Sequence, residues 1–119
     1  MLKVLLVDDL RDFVDPPEGL AIARTSQAAL NILKDYNNNY WDSIWLDHDL
    51  GMVDSKEDTI MPVVDYLAEK AFFDDPVKVN TVYVHTANSV GRERMIKTLN
   101  HYGYNTVVPN PRLLIYEDR

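Results

Sequence analysis

Short, unbroken apolar runs constrain this chain most: VLLV at 4–7, LAIA at 20–23, IWL at 44–46 and VYV at 82–84. A strand with one wet face alternates apolar and polar residues, whereas an unbroken run of this length needs cover on both faces, as in a parallel sheet between layers. Helix-patterned segments separate most of the runs. Residues 2–7 (LKVLLV) read as the first strand, and the following DLRDFVDPPEG, with its prolines and no helical period, reads as a loop. LAIA is the second strand. Thr25 or Ser26 then caps a helix with Ala29, Leu30, Leu33 and Tyr36 on one face, ended by Asn37 to Asn39. Residues 41–46 (WDSIWL) form the third strand, and a polar loop through DSKED leads to a helix with Pro62 in its first turn. That helix buries Val63, Val64, Leu67, Ala68 and Ala71.

The fourth strand is VKVNTVYV, running into His85. Asn88 or Ser89 opens a helix with Met95, Ile96, Leu99 and Tyr102 inward, closed by Gly103. YNTVV is the fifth strand. The tail RLLIYEDR fits either a strand or a helical turn. The expected architecture is a single α/β domain over residues 1–119: three layers, doubly wound, around a five-stranded parallel sheet of order 2-1-3-4-5. Its unusual feature is a loop in place of the first crossover helix.

The chain contains no cysteine, so thiolate metal sites, disulfides and cysteine nucleophiles are excluded. A net charge of −7 argues against gripping a nucleic-acid polymer, whose backbone is bound mainly through Lys and Arg. The apolar runs fall far short of a membrane span, and no signal segment opens the chain, so the cytoplasm is the expected location and no membrane partner is expected.

In open α/β sheets, ligands sit beyond the carboxyl ends of the strands, where strand order reverses. Strands 1, 3 and 4 are neighbours in the expected order, and their ends carry Asp8-Asp9, Asp47-His48-Asp49 and His85-Thr86. The helix opening in NSVGRER would aim its free N–H groups at the same rim, with Arg92 and Arg94 close by. Such a rim suits a small anion. Asp8, Asp9, Asp47 and Asp49 would repel it, however, unless a cation intervenes. Either a magnesium-type ion sits on Asp8, Asp9 and Asp47, or the histidines stay protonated.

VDD after strand 1, LD ending strand 3 and Thr86-Ala87 after strand 4 resemble the receiver domain of two-component response regulators. In receivers the residue at Asp47 accepts a phosphoryl group, the Asp8-Asp9 pair holds magnesium, and a lysine before proline after strand 5 completes the site. Here that dipeptide is Asn110-Pro111, so the lysine is absent. More closely, VDDLR, LDHDLG and HTANSVGRERM, with DPPEG and ARTSQAA between them, resemble the cyclic-phosphate processing receiver-like domains (cREC) of bacteria and phages. The resemblance implies a phosphoesterase acting on a cyclic phosphate of a nucleotide or nucleotide-derived molecule, in the host cytoplasm if phage-encoded. His48 and His85 would be its paired acid and base.

Two imidazoles suit that chemistry, because one can take a proton from water while the other protonates the leaving oxygen. Asp47 or Asp49 would fix a histidine tautomer, and Thr86, Asn88, Arg92 and Arg11 are the candidate substrate-binding residues. Two rivals keep the same rim: a signalling receiver phosphorylated on Asp47, and a protein that binds cyclic nucleotides without turnover.

Overall fold

The computed structural model describes residues 1–116. Its elements in chain order are β1 (Val4–Val7), β2 (Arg11–Phe13), β3 (Leu20–Ala23), α1 (Ser26–Asp35), β4 (Trp41–Leu46), β5 (Asp49–Val53) and β6 (Lys56–Thr59). They continue with α2 (Met61–Phe72), β7 (Val79–Val84), α3 (Ser89–His101), β8 (Thr106–Val107), a 3-10 turn (Pro111–Leu113) and β9 (Leu114–Tyr116). The main sheet has five parallel strands in the order β3-β1-β4-β7-β8, which is the 2-1-3-4-5 order expected. The fourth strand begins two residues later than the apolar pattern suggests, and the fifth is reduced to Thr106–Val107.

Side chains alternate across these strands. Leu5, Val7, Ile44, Leu46, Val82 and Val84 pack with Ala29 and Leu33 of α1, Val63, Val64 and Leu67 of α2, and Met95 and Leu99 of α3. Val4, Leu6, Trp45 and Tyr83 face the other way, toward Phe13 and Leu114. All three helices therefore cover one face. The opposite layer is an antiparallel ribbon of β2 and β9, with Phe13 edge-on to Trp45 at 4.8 Å and Tyr83 stacked on Trp45 at 4.1 Å. Stripping any one of the large core side chains should cost about 2–5 kcal/mol, Leu67→Ala being an example.

Two segments read as loops contain strands. Residues 11–13 pair with residues 114–116, so the tail RLLIYEDR holds both forms, Arg112 and Leu113 in the 3-10 turn and Leu114–Tyr116 in a strand; residues 117–119 lie outside the described residues. DSKED forms the tip and return strand of the β5–β6 hairpin, where Asp54 and Ser55 both adopt positive φ (51° and 65°) as a tight hairpin turn requires. Gly51 sits in the bulge of that hairpin at φ 77°, and a Cβ there would lie 2.9 Å from Asp9 Oδ2. Asp58 accepts from both Ser26 N (2.8 Å) and Ser26 Oγ (2.6 Å), so the hairpin is pinned to the start of α1, which Thr25 caps.

Candidate active site at the carboxyl rim

Val7, Leu46 and Val84 are register partners facing the helices. The ladder extends one residue further: Asp47 N donates to Val7 O (3.1 Å) and His85 N to Leu46 O (3.0 Å). By alternation Asp8, Asp47 and His85 turn toward the ribbon, while His48 turns back toward α3. The two histidines thus leave the rim on different sides of the sheet.

On the ribbon side the groups bind one another. Asp8 is fully buried; its Oδ1 accepts from the amides of Leu10 (2.9 Å) and Arg11 (2.8 Å), and its Oδ2 from Arg11 Nε (2.9 Å) and His85 Nε2 (3.1 Å). Arg11 Nη2 reaches His85 O at 2.8 Å and Asp47 Oδ2 at 3.3 Å. Arg24 Nη1 donates to the carbonyls of Asp8 (3.2 Å) and Arg11 (2.8 Å), and its Nη2 to Asp12 (2.8 Å). Burial pushes the Asp8 carboxyl up, but the hydrogen bonds from His85, Leu10 and Arg11 and the Arg11 charge outweigh it and hold Asp8 well below the usual carboxylate range. Asp47 goes the other way: burial, then the Asp8 charge, raise it against the pull of His85, Arg11 and Thr86. Burial also raises Asp9. With Asp8 ionised, His85 Nε2 must carry the bonded proton. Its Nδ1 is buried and has no hydrogen-bond partner among the described residues.

The helix side is built differently. His48 Nδ1 lies 2.8 Å from Asp49 Oδ1, and the Asn88 amide nitrogen lies 3.4 Å from the same Nδ1 and 3.5 Å from Asp49 Oδ2. The backbone holding the ring is fixed by Ile60 N donating to His48 O at 2.9 Å. Asn88 caps α3, its Oδ1 accepting from Gly91 N at 2.9 Å, and the His48 ring lies flat over that first turn. A Cβ on Gly91 would come within 2.5 Å of His48 Cδ2 and 2.9 Å of Nε2, so only glycine admits the ring there. His48 Nε2 makes no hydrogen bond among the described residues. Thr86 Oγ1 accepts from Asn88 N (3.1 Å), and Arg92 Nη1 donates to Thr86 O (3.3 Å). A cavity of about 220 Å³ beside them is lined by Arg11, His85, Thr86, Arg92 and Asn110.

A family model for the cyclic-phosphate processing receiver domain matches residues 3–101. The chain belongs to that family. No curated protein and no solved structure matches it. The matched span runs from the approach to β1 to the last residue of α3, so it takes in Asp8, Asp47, His48, His85 and Asn88 and stops short of β8 and β9.

Within this cyclic-phosphate processing receiver domain, His48 and His85, expected as a paired acid and base, turn to different sides of the rim. The His85 side chain is only 3% exposed and spends Nε2 on Asp8, whereas His48 sits over α3 with Asp49. Arg11 is likewise drawn inward, onto Asp8 and Asp47, rather than left to meet a ligand alone. It supplies the missing cation that the cluster of carboxylates demanded. Asp8, Asp9 and Asp47 do converge, with candidate ligand atoms all within 4.8 Å of one another. Yet each Asp8 oxygen already accepts two hydrogen bonds, and the guanidinium lies against both Asp8 and Asp47. A magnesium ion needs bare oxygens at about 2.0–2.1 Å, so these residues as arranged do not fit one. Gly91, Arg24 and Asp58 were not singled out by sequence. The signal for Gly91 was available: glycine inside a helix costs about 1 kcal/mol relative to alanine and asks for a packing reason.

Proposed function

We propose that this domain binds a cyclic phosphate on a small nucleotide-type molecule and opens it with water, using His48 as the proton-transfer group. The observation that carries this reading is the Asp49–His48 pair at the start of α3: a carboxylate on Nδ1 leaves Nε2 as the working nitrogen, at a helix end suited to an anion. Asn88 caps Gly91 N, and the amides of Ser89 and Val90 in the first turn have no partner among the described residues. Arg92, on that turn, adds a positive charge for the phosphoryl oxygens.

In this reading water attacks phosphorus while Nε2 takes its proton. The P–O bond to one ring oxygen breaks, and the same proton passes to that oxygen, giving a phosphomonoester and a free hydroxyl. Proton transfer of this kind contributes about 10²–10⁴-fold. His85 is a positioning residue, holding Asp8 and through it Arg11. The version with two facing histidines would need the His85 ring to swing out of its buried bond to Asp8.

The test is a panel of 2′,3′- and 3′,5′-cyclic nucleotides, cyclic oligonucleotides and ADP-ribose cyclic phosphates, each with and without EDTA, read by phosphorus NMR. A new phosphomonoester with wild type and none with folded His48→Ala supports the reading. Turnover retained by His48→Ala removes His48, and tight binding without product points to sequestration. One observation favours phosphorylation of Asp47 as a second reading: Arg11 stands 3.3 Å from its carboxylate, a cation where the receiver lysine is absent. Incubation with a small phosphodonor and an intact-mass measurement decides it.

A further inference from the structure

We propose that the Arg11 guanidinium is the permanent cation of the aspartate cluster, occupying the space in which Asp8, Asp9 and Asp47 could otherwise ligate a divalent metal, so that the domain works without one. The claim stands whether or not the domain turns over a cyclic phosphate.

A surface arginine could swing aside for a metal; this one is held from both ends. Its amide donates to Asp8 Oδ1 at 2.8 Å, and its carbonyl accepts from Arg24 Nη1 at 2.8 Å. Its residue begins β2, in register with Tyr116 of β9. Its head makes two further bonds of 2.9 Å or less, to Asp8 Oδ2 and to the carbonyl of His85. The guanidinium cannot lose its charge, and its planar fork spans two carboxylates as an ammonium cannot. Asp8 has no lone pair to spare, since two amides, the guanidinium and the His85 ring use both its oxygens. A metal would have to push the guanidinium off both Asp8 and Asp47, which frees one lone pair of Asp8 Oδ2 beside the bond from His85 and bares Asp47 Oδ2. Only then would the acceptor atoms within 4.8 Å become a ligand set.

Removing the side chain should therefore create a metal site. Thermal unfolding would be followed for wild type and Arg11→Gln while MgCl2 or MnCl2 is titrated against ionic-strength-matched NaCl. Wild type should show no saturable rise in melting temperature. Arg11→Gln should melt lower without metal and gain a saturable rise with it, as expected for a ligand that binds only the folded state. A saturable metal-dependent rise in wild type overturns the proposal, as does a folded Arg11→Gln that gains none. Should Arg11→Gln not fold, manganese binding to wild type is read by electron paramagnetic resonance. Binding that Asp47→Asn abolishes overturns the proposal, and no binding at millimolar manganese sustains it.

Discussion

His48 and His85 each hold an aspartate on one ring nitrogen, at 2.8 Å and 3.1 Å, yet their surroundings differ. His85 gives Nε2 to a carboxylate that is itself buried, and its ring is only 3% exposed, with the Trp45 ring centroid 6.1 Å away. The His48 side chain is 14% exposed, gives Nδ1 to a carboxylate that is 64% exposed, and packs its ring against Gly91 in the first turn of α3. A carboxylate–imidazole pair is thus not a function by itself. Which nitrogen is spent, and what surrounds the other, separates the two pairs.

Asp8 is the most sensitive position on the ribbon side. Asp8→Ala would strand the Arg11 guanidinium and the His85 ring in the interior, and removing one partner of a buried ionic network costs about 3–5 kcal/mol. Urea unfolding checks this, and a loss under 1 kcal/mol would mean that the ribbon-side network is not structural. On the other side, Gly91→Ala should leave the fold intact, since alanine favours the helix. The new methyl must push the His48 ring aside, and a misplacement of about 1 Å can cost about 10²-fold in turnover. Steady-state kinetics beside a melting curve separates the two effects.

Acidity sharpens the contrast. Asp8 is depressed in the fold, so its stabilisation is complete above the ordinary carboxylate pKa near 4 and drains away as the pH falls below it. Asp47 is raised, so its contribution is complete below the ordinary value and lost as the pH climbs through the raised one. Asp47→Asn should therefore raise the melting temperature at pH 7, by an amount that shrinks on acidification. A melting series from pH 3 to pH 7 reads both signs. The smallest effect belongs to Asp49→Asn, whose exposed pair with His48 is worth about 1 kcal/mol or less in stability while turnover falls.

The sheet order and the convergence on the rim were legible in the sequence because buried parallel strands carry their own signature and the switch-point rule places the ligand end. The side of the sheet to which each rim residue turns was not. That depends on register, since Asp47 aligns with His85 only because Leu46 pairs with Val84. Nor could Arg11 be read as an inward cation, because its direction is set by β2 pairing with β9 at the far end of the chain. The same long-range pairing explains why a ribbon, rather than a helix, covers the second face. Asp54-Ser55 concealed a hairpin because neither residue is the glycine that usually marks such a turn.

Carbethoxylation of the native protein, mapped by peptide mass, tests most directly whether His48 and His85 differ as described, with exposed His101 as the internal standard. The account predicts that His48 is modified in the folded protein and shielded by a bound cyclic phosphate, while His85 reacts only after unfolding. Modification of His85 at the rate of His48, or shielding of His85 alone by the ligand, would contradict it.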